Sequence, residues 1–256
     1  MKSSAIIRLL LLLPLLSTLA CNRQQLDPKA VSNICDQVEG AEAIYWDLRN
    51  GIIRTDLPKG VPTLENPGGA YGHPGFPLLG FSYPEGWSPV TIADNNFGHT
   101  VGVDLIRGDN QAVWRSFSTS LNGFVPILDI VAAEINQALA FLGNPPIDNV
   151  VCTNDGEDRS LGNIISQFES RLIRAGSFTI QVNVNVNYVD GLPSTFVSNQ
   201  VTVGPTVEYQ DLIADVFLPI DWQLLLKPEG DDLNRDSDND GVWDVNDRFP
   251  NDPSKW

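Results

Sequence analysis

The chain has 256 residues, enough for one large domain or two small ones, with a core that needs no covalent staples to be stable. Hydrophobic residues make up 42% and aromatics 9%, the composition of a globular protein. Acidic residues outnumber basic ones 32 to 16, and a surface this negative repels phosphate, which excludes nucleic acid as a natural partner.

The opening stretch, MKSSAIIRLLLLLPLLSTLAC, reads as an export signal over residues 1–20. Lys2 and Arg8 supply the positive start, Leu9 to Leu16 the apolar centre, and Ala20 the small residue before a cleavage point. The apolar run is short and interrupted by Arg8 and Pro14, which argues against a membrane span. Cys21 after Ala20 resembles the lipobox of bacterial lipoproteins, with Thr18 where that family usually has Leu. The resemblance implies a lipid on Cys21 and attachment to a membrane. Asn22 behind it is similar to the outer-membrane pattern of enterobacterial lipoproteins. Ordinary signal-peptidase cleavage after Ala20 is the alternative.

There are three cysteines, an odd number for an exported protein. With Cys21 given to lipid, Cys35 and Cys152 remain as a pair for an oxidising compartment, or as two separate buried thiols. Residues 21–40 then form the lipidated cysteine and its tether, and 41–228 a domain.

Within that domain AIYWDL, 43–48, suggests a strand, paired with GIIRTDLP, 51–58, across Arg49-Asn50-Gly51. The segment 65–80, ENPGGAYGHPGFPLLG, has five glycines and three prolines and reads as a long loop rather than a regular element. FSYPEGW, 81–87, suggests a short strand broken at Pro84. Together with Gly80 it resembles the Tyr-Pro-x-Gly-Trp opening strand of PsbP-like lipoproteins, which implies an α-β-α sandwich. Two strands joined by Gly108-Asp109-Asn110 are expected over 100–119.

Ile127, Leu128, Val131, Ile135, Leu139 and Leu142 predict a helix started by Pro126 and closed by Gly143, with Glu134 and Gln137 on its solvent side. Leu161, Ile164, Ile165, Phe168, Leu172 and Ile173 predict a second, capped by Ser160 and ended by Gly176, with Glu169 and Arg171 outward. The clearest strand is 178–188, where Phe178, Ile180, Val182, Val184, Val186 and Tyr188 alternate with Thr179, Gln181, Asn183, Asn185 and Asn187. One buried face and one wet asparagine face imply an antiparallel strand, turned at Asp190-Gly191 and partnered by 194–203. The fold class is therefore α+β, an antiparallel sheet packed by two amphipathic helices and followed by a short tail.

That tail, 229–256, carries the most readable chemistry. Residues 231–256 hold eight aspartates and no glutamate. Calcium takes six to eight oxygens, and a tight loop with carboxylates at alternate positions supplies them. Asp236, Asp238 and Asp240 stand at loop positions one, three and five, Gly241 at the sharp turn, Val242 with its carbonyl at seven, Asp244 at nine and Asp247 at twelve. Alternating aspartates alone fit an EF-hand, a dockerin or a solvated acidic tail. The full run DSDNDGVWDVNDRFPNDPSKW resembles the bacterial thrombospondin type 3 repeat, with Phe249-Pro250, Asp252-Pro253 and Trp256 at matching places. The resemblance implies Ca2+ at the aspartates named, with Asp252 a weaker candidate.

Candidate catalytic groups are sparse. His73 and His99 are the only histidines, and no Gly-x-Ser-x-Gly elbow, phosphate loop or dinucleotide fingerprint appears. Tyr45, Trp46, Tyr71, Phe76, Tyr83 and Trp87 fall together in the first third, either as core or as a grip for a glycan, peptide or lipid. The sequence thus supports a calcium-binding, lipid-anchored envelope protein with a binding or structural domain. The alternative is an exported hydrolase using the Gly/Pro segment and His99.

Overall fold

In the computed structural model the described residues are 34–52, 64, 66–93, 100–160 and 162–226. The lipobox, most of the 51–58 segment, His99 and the whole aspartate loop lie outside them.

Among the described residues nine strands run in chain order: β1 (Pro67–His73), β2 (Phe76–Pro84), β3 (Trp87–Ala93), β4 (Val101–Arg107), β5 (Val113–Asn122), β6 (Ile147–Asp158), β7 (Ile164–Ala175), β8 (Phe178–Val189) and β9 (Ser194–Pro205). Helix α1 (Gly40–Arg49) precedes them and α2 (Ile127–Phe141) follows β5. After β9 come α3 (Tyr209–Leu212), a π-helical turn (Ile213–Phe217) and α4 (Leu218–Leu226). Strands β3 to β9 form one antiparallel sheet in the order β3-β4-β5-β9-β8-β7-β6, and β1 pairs with β2 as a separate ribbon. Helices with a predominantly antiparallel sheet agree with the α+β class.

The sheet is covered on both faces. Helix α2 lies on β7, β8 and β9, where Val131 and Ala138 pack against Ile173, Ile180, Val182, Val184 and Val201. The opposite face carries α1, the consecutive helical segments 209–226 and the β1-β2 ribbon around Trp46, Phe81, Trp87, Trp114, Leu172 and Phe217. Side chains on a strand alternate between faces, so two-sided cover demands apolar residues at successive positions wherever both layers overlap. Leu172 and Ile173 on β7 are both fully buried for this reason.

That same feature misleads a reading of β7 by periodicity. The residues expected to form a second amphipathic helix over 160–176 make a 12-residue strand, β7, bonded to β6 and β8. Ser160 caps no helix; its amide donates to Asp158 at 2.7 Å. Residues 43–48, expected as a strand, belong to α1, and Asn50 and Gly51 close that helix, Gly51 with a φ of 71° that suits glycine. The Gly/Pro segment, expected as a loop, forms most of the β1-β2 ribbon. Its glycines serve close approach: a Cβ on Gly69 would sit 2.5 Å from the Tyr83 hydroxyl. Residues 147–158 form the edge strand β6, which alternation did not reveal. Polar Asp148, Asn149, Asn154, Asp155, Glu157 and Asp158 in it suit an edge that must not recruit another chain.

The β4-β5 hairpin, α2 and the β8-β9 hairpin stand where expected. Asp109 fixes the first turn by accepting from the Gln111 amide at 2.9 Å. Leu142 follows α2 as its C-cap residue, and Asn144 returns its amide to the Leu139 carbonyl at 2.7 Å. Glu134, expected on the solvent side of α2, is instead buried against the sheet. The grouped aromatics settle as core: Tyr45, Trp46 and Trp87 are buried, and Tyr71 and Tyr83 pack against them.

Candidate functional site

Asp221 on α4 is buried, and three hydrogen-bond donors converge on its carboxylate. Tyr45 donates its hydroxyl to Oδ2 at 2.7 Å, Trp114 its indole N–H to Oδ1 at 2.9 Å, and Gln200 its amide to Oδ1. Arg49 stands 3.7 Å away at the end of α1. Burial pushes the Asp221 carboxyl above the usual carboxylate range, while Arg49 and the three donors pull the other way. The Tyr45 phenol is likewise raised, first by burial and then by the Asp221 charge. This cluster ties α1, α4, β5 and β9 at one point, and both oxygens of the Asp221 carboxylate are taken by donors of the fold, so it works as a lock.

Two further charged clusters do the same elsewhere. Arg115 on β5 forms a two-armed pair with Asp104 at 2.6 and 2.8 Å and reaches Glu134 on α2 at 3.2 Å. Burial raises the Glu134 carboxyl, partly offset by Arg115. Arg174 on β7 grips Glu42 of α1 with bonds of 2.7 and 2.8 Å. Each cluster pins one helix to the sheet.

His73 is buried at the β1-β2 turn. Its Nδ1 accepts the Gly75 amide at 3.1 Å, which leaves the proton on Nε2, facing the Ile92 carbonyl at 3.2 Å. Both ring nitrogens hold backbone, so His73 clamps the ribbon to β3. Among the described residues no group of histidine, cysteine and carboxylate side chains is arranged to hold a metal. Cys35 and Cys152 stand together as a disulfide pair, Cα atoms 5.8 Å apart and 117 residues apart in sequence.

The remaining candidate is a surface. Register places Asn183, Asn185 and Asn187 of β8 on the face shared with α1 and α4. The asparagine ladder expected to be wet is divided: Gln181 and Asn183 are buried, whereas Asn185 is exposed and Asn187 half-buried. The division follows what the two helices cover. Asn50, just past α1, accepts from Asn154 of β6 at 2.9 Å, and Asp221 in the first turn of α4 reaches Gln200, so the end of α1 and the start of α4 both meet the row of Ser116, Gln200, Asn183 and Ser170. Beyond it stand two more rows, Ser118-Ser198-Asn185-Phe168-Gly156 and Ser120-Phe196-Asn187-Ser166-Asp158, at least partly open to solvent, in which Ser118 donates to Ser198 at 3.4 Å and Ser166 to Asn187 at 2.6 Å. Among the described residues no helix lies on them.

No family model matches the sequence, and no curated protein matches it. None of the described helices is long and apolar enough to cross a membrane.

Proposed function

We propose that the protein is a calcium-binding, lipid-anchored cell-envelope protein, exported and held at the outer membrane, whose α+β domain has a binding or structural role. The observation that carries the reading is the run 236–256, where Asp236, Asp238, Asp240, Asp244 and Asp247 with the Val242 carbonyl are spaced as ligands of one hard cation. Phe249, Pro250, Asp252 and Trp256 at fixed places distinguish the run from a merely solvated acidic tail. The pairing of Cys35 with Cys152 supports the anchor, because it leaves Cys21 as the cysteine to carry lipid. Of the groups a hydrolase reading would use, His73 in the Gly/Pro segment has both nitrogens committed to backbone, and His99 lies outside the described residues.

Calorimetric titration of the full chain with Ca2+ tests the cation. A saturable heat is expected, absent from Asp236→Asn/Asp240→Asn; no heat in the parent chain refutes the site. Mass spectrometry of the mature N-terminus tests the anchor, and an unmodified Cys21 refutes it.

A further inference from the structure

Among the described residues the ribbon and the large sheet have four edges, and three of them are closed. Carboxylates stud β6, while Pro89 interrupts the donors of β3 and His73 takes the Ile92 carbonyl of that strand. On β2 the Gln223 carboxamide of α4 accepts from the Ser82 amide at 2.7 Å and donates to the Ser82 carbonyl at 3.2 Å, so it stands where a further strand would bond.

That contact also sets the phase of the ribbon. Both backbone groups of Ser82 turn away from β1, so Ala70 opposite it belongs to a non-hydrogen-bonded pair, and the Ala70 N–H and C=O point away from β2. Alternation turns Gly72 the same way. Both residues are exposed, and none from Pro67 to Gly72 carries a charge. The free side of β1 therefore offers donors and acceptors whose geometric complement is another extended backbone.

Gly72 supplies a second, independent observation. Glycine weakens a strand unless a left-handed backbone or a crowded Cβ calls for it. At Gly72 φ lies outside the left-handed region and a Cβ would meet nothing within 4 Å, so the chain's own fold does not call for glycine there. Gly68 and Gly69, by contrast, are crowded by Glu85 and Tyr83. A glycine that its own fold leaves unexplained, at an open edge, marks the close approach of another backbone.

The strand itself indicates which backbone. Gly68, Ala70 and Gly72 are arranged symmetrically about Ala70. Antiparallel pairing of two β1 strands about a two-fold axis at Ala70 sets Ala70 against Ala70, Gly72 against Gly68 and Tyr71 against Gly69. No two bulky side chains meet, and the outward groups of the two Ala70 residues bond reciprocally across the axis. We infer that β1 pairs with β1 of a second copy, joining two ribbons into one four-stranded antiparallel sheet. Register shifts at both ends of β1 keep the seam short, so the dimer is a weak one. The inference goes beyond the calcium and anchor readings and depends on neither.

Cysteine cross-linking and sedimentation of the full chain carrying Cys21→Ser test it, since Cys35 and Cys152 hold each other. Facing Cα atoms at a bonded pair lie about 5.5 Å apart, within reach of a disulfide. Ala70→Cys is expected to form a covalent dimer under mild oxidation at least about tenfold faster than Gly72→Cys, whose two copies would stand roughly 13 Å apart along the seam. Sedimentation over roughly 10–300 μM, where an interface of less than standard size is populated, is expected to show a monomer–dimer equilibrium. Salt strengthens it by screening two copies of net charge −16. Ala70→Glu, at an exposed position, sets two carboxylates face to face and weakens it about fivefold without lowering Tm. A chain that stays monomeric throughout that range overturns the inference, as does equal cross-linking at 70 and 72 or a dimer that Ala70→Glu leaves unchanged. Failure here leaves the calcium titration and the N-terminal mass untouched.

Discussion

Replacing Asp221 separates a lock from a charge. In Asp221→Ala the Tyr45 hydroxyl, the Trp114 indole N–H and the Gln200 amide lose their shared acceptor inside the core. A buried donor left without a partner costs about 1–3 kcal/mol, so three of them cost roughly 3–6 kcal/mol, allowing for rotation of the hydroxyl. A domain of ordinary stability, about 5–15 kcal/mol, would be brought close to unfolding. Asp221→Asn keeps an oxygen for Trp114 and Gln200 and removes only the charge, whose burial is itself unfavourable, so it costs about 2 kcal/mol or less. The assay is urea unfolding of the full chain followed by tryptophan fluorescence. Equal losses in the two variants, or a loss below about 1 kcal/mol in Asp221→Ala, would refute the reasoning.

The pH dependence supplies its sign. The folded carboxyl is raised above its unfolded value, so folding binds a proton between the two. The stability that protonation contributes is fully present below the unfolded pKa and lost as pH rises through the folded one. The advantage of the parent over Asp221→Asn is therefore expected to shrink as pH rises, and an advantage growing with pH would contradict the assignment of burial as the leading cause.

Other outcomes follow from the same geometry. Arg115→Met leaves Asp104 and the buried Glu134 without their cation and is expected to cost about 3–5 kcal/mol, with α2 the first element to lose amide-exchange protection. Reducing Cys35–Cys152, which closes 117 residues of chain, is expected to lower stability by roughly 3–5 kcal/mol, read as a reductant-dependent fall in Tm that Cys35→Ser/Cys152→Ser abolishes. His73→Ala removes two backbone partners at the ribbon turn and is expected to speed proteolytic nicking near His73. Unchanged proteolysis together with altered turnover of an envelope polymer would restore the hydrolase reading.

What was legible in the sequence, and what was not, follows the cover of the sheet. Strand β8 was plain because its whole length lies under α2 on one side, so Ile180 to Val186 had to alternate with something else. Strand β7 read as a helix because Leu172 and Ile173 are buried on opposite faces while Ser166 and Gln167 further along are not, and two alternations of unequal length mimic a stripe of period 3.6. Helix α1 read as a strand because Tyr45 and Trp46 have β-forming side chains, and the tertiary need to place both in the core outweighed that preference. The charged locks were invisible to local pattern, since Asp221 and Tyr45 are 176 residues apart and meet only after folding. Glu134 illustrates the cost: the helix pattern alone assigns its carboxylate to solvent, because the arginine that pairs with it, Arg115, lies on a strand.

The asparagine ladder joins these lines of argument. Alternation requires that β8 present one polar face, and it does; alternation cannot say how far that face stays wet, because the limit is set by what α1 and α4 cover. Under the helices the polar residues are consumed by internal bonds, Asn183 to Ser170 at 2.7 Å and Gln200 to Asp221. Beyond the helices the same residue types bond across strands, Ser166 to Asn187 at 2.6 Å and Ser118 to Ser198 at 3.4 Å. Asn187 and Ser198 in the open rows are thus accounted for as Asn183 and Gln200 are under the helices, by a partner on the neighbouring strand or helix, and the polar face of β8 is a bonded face along most of its length.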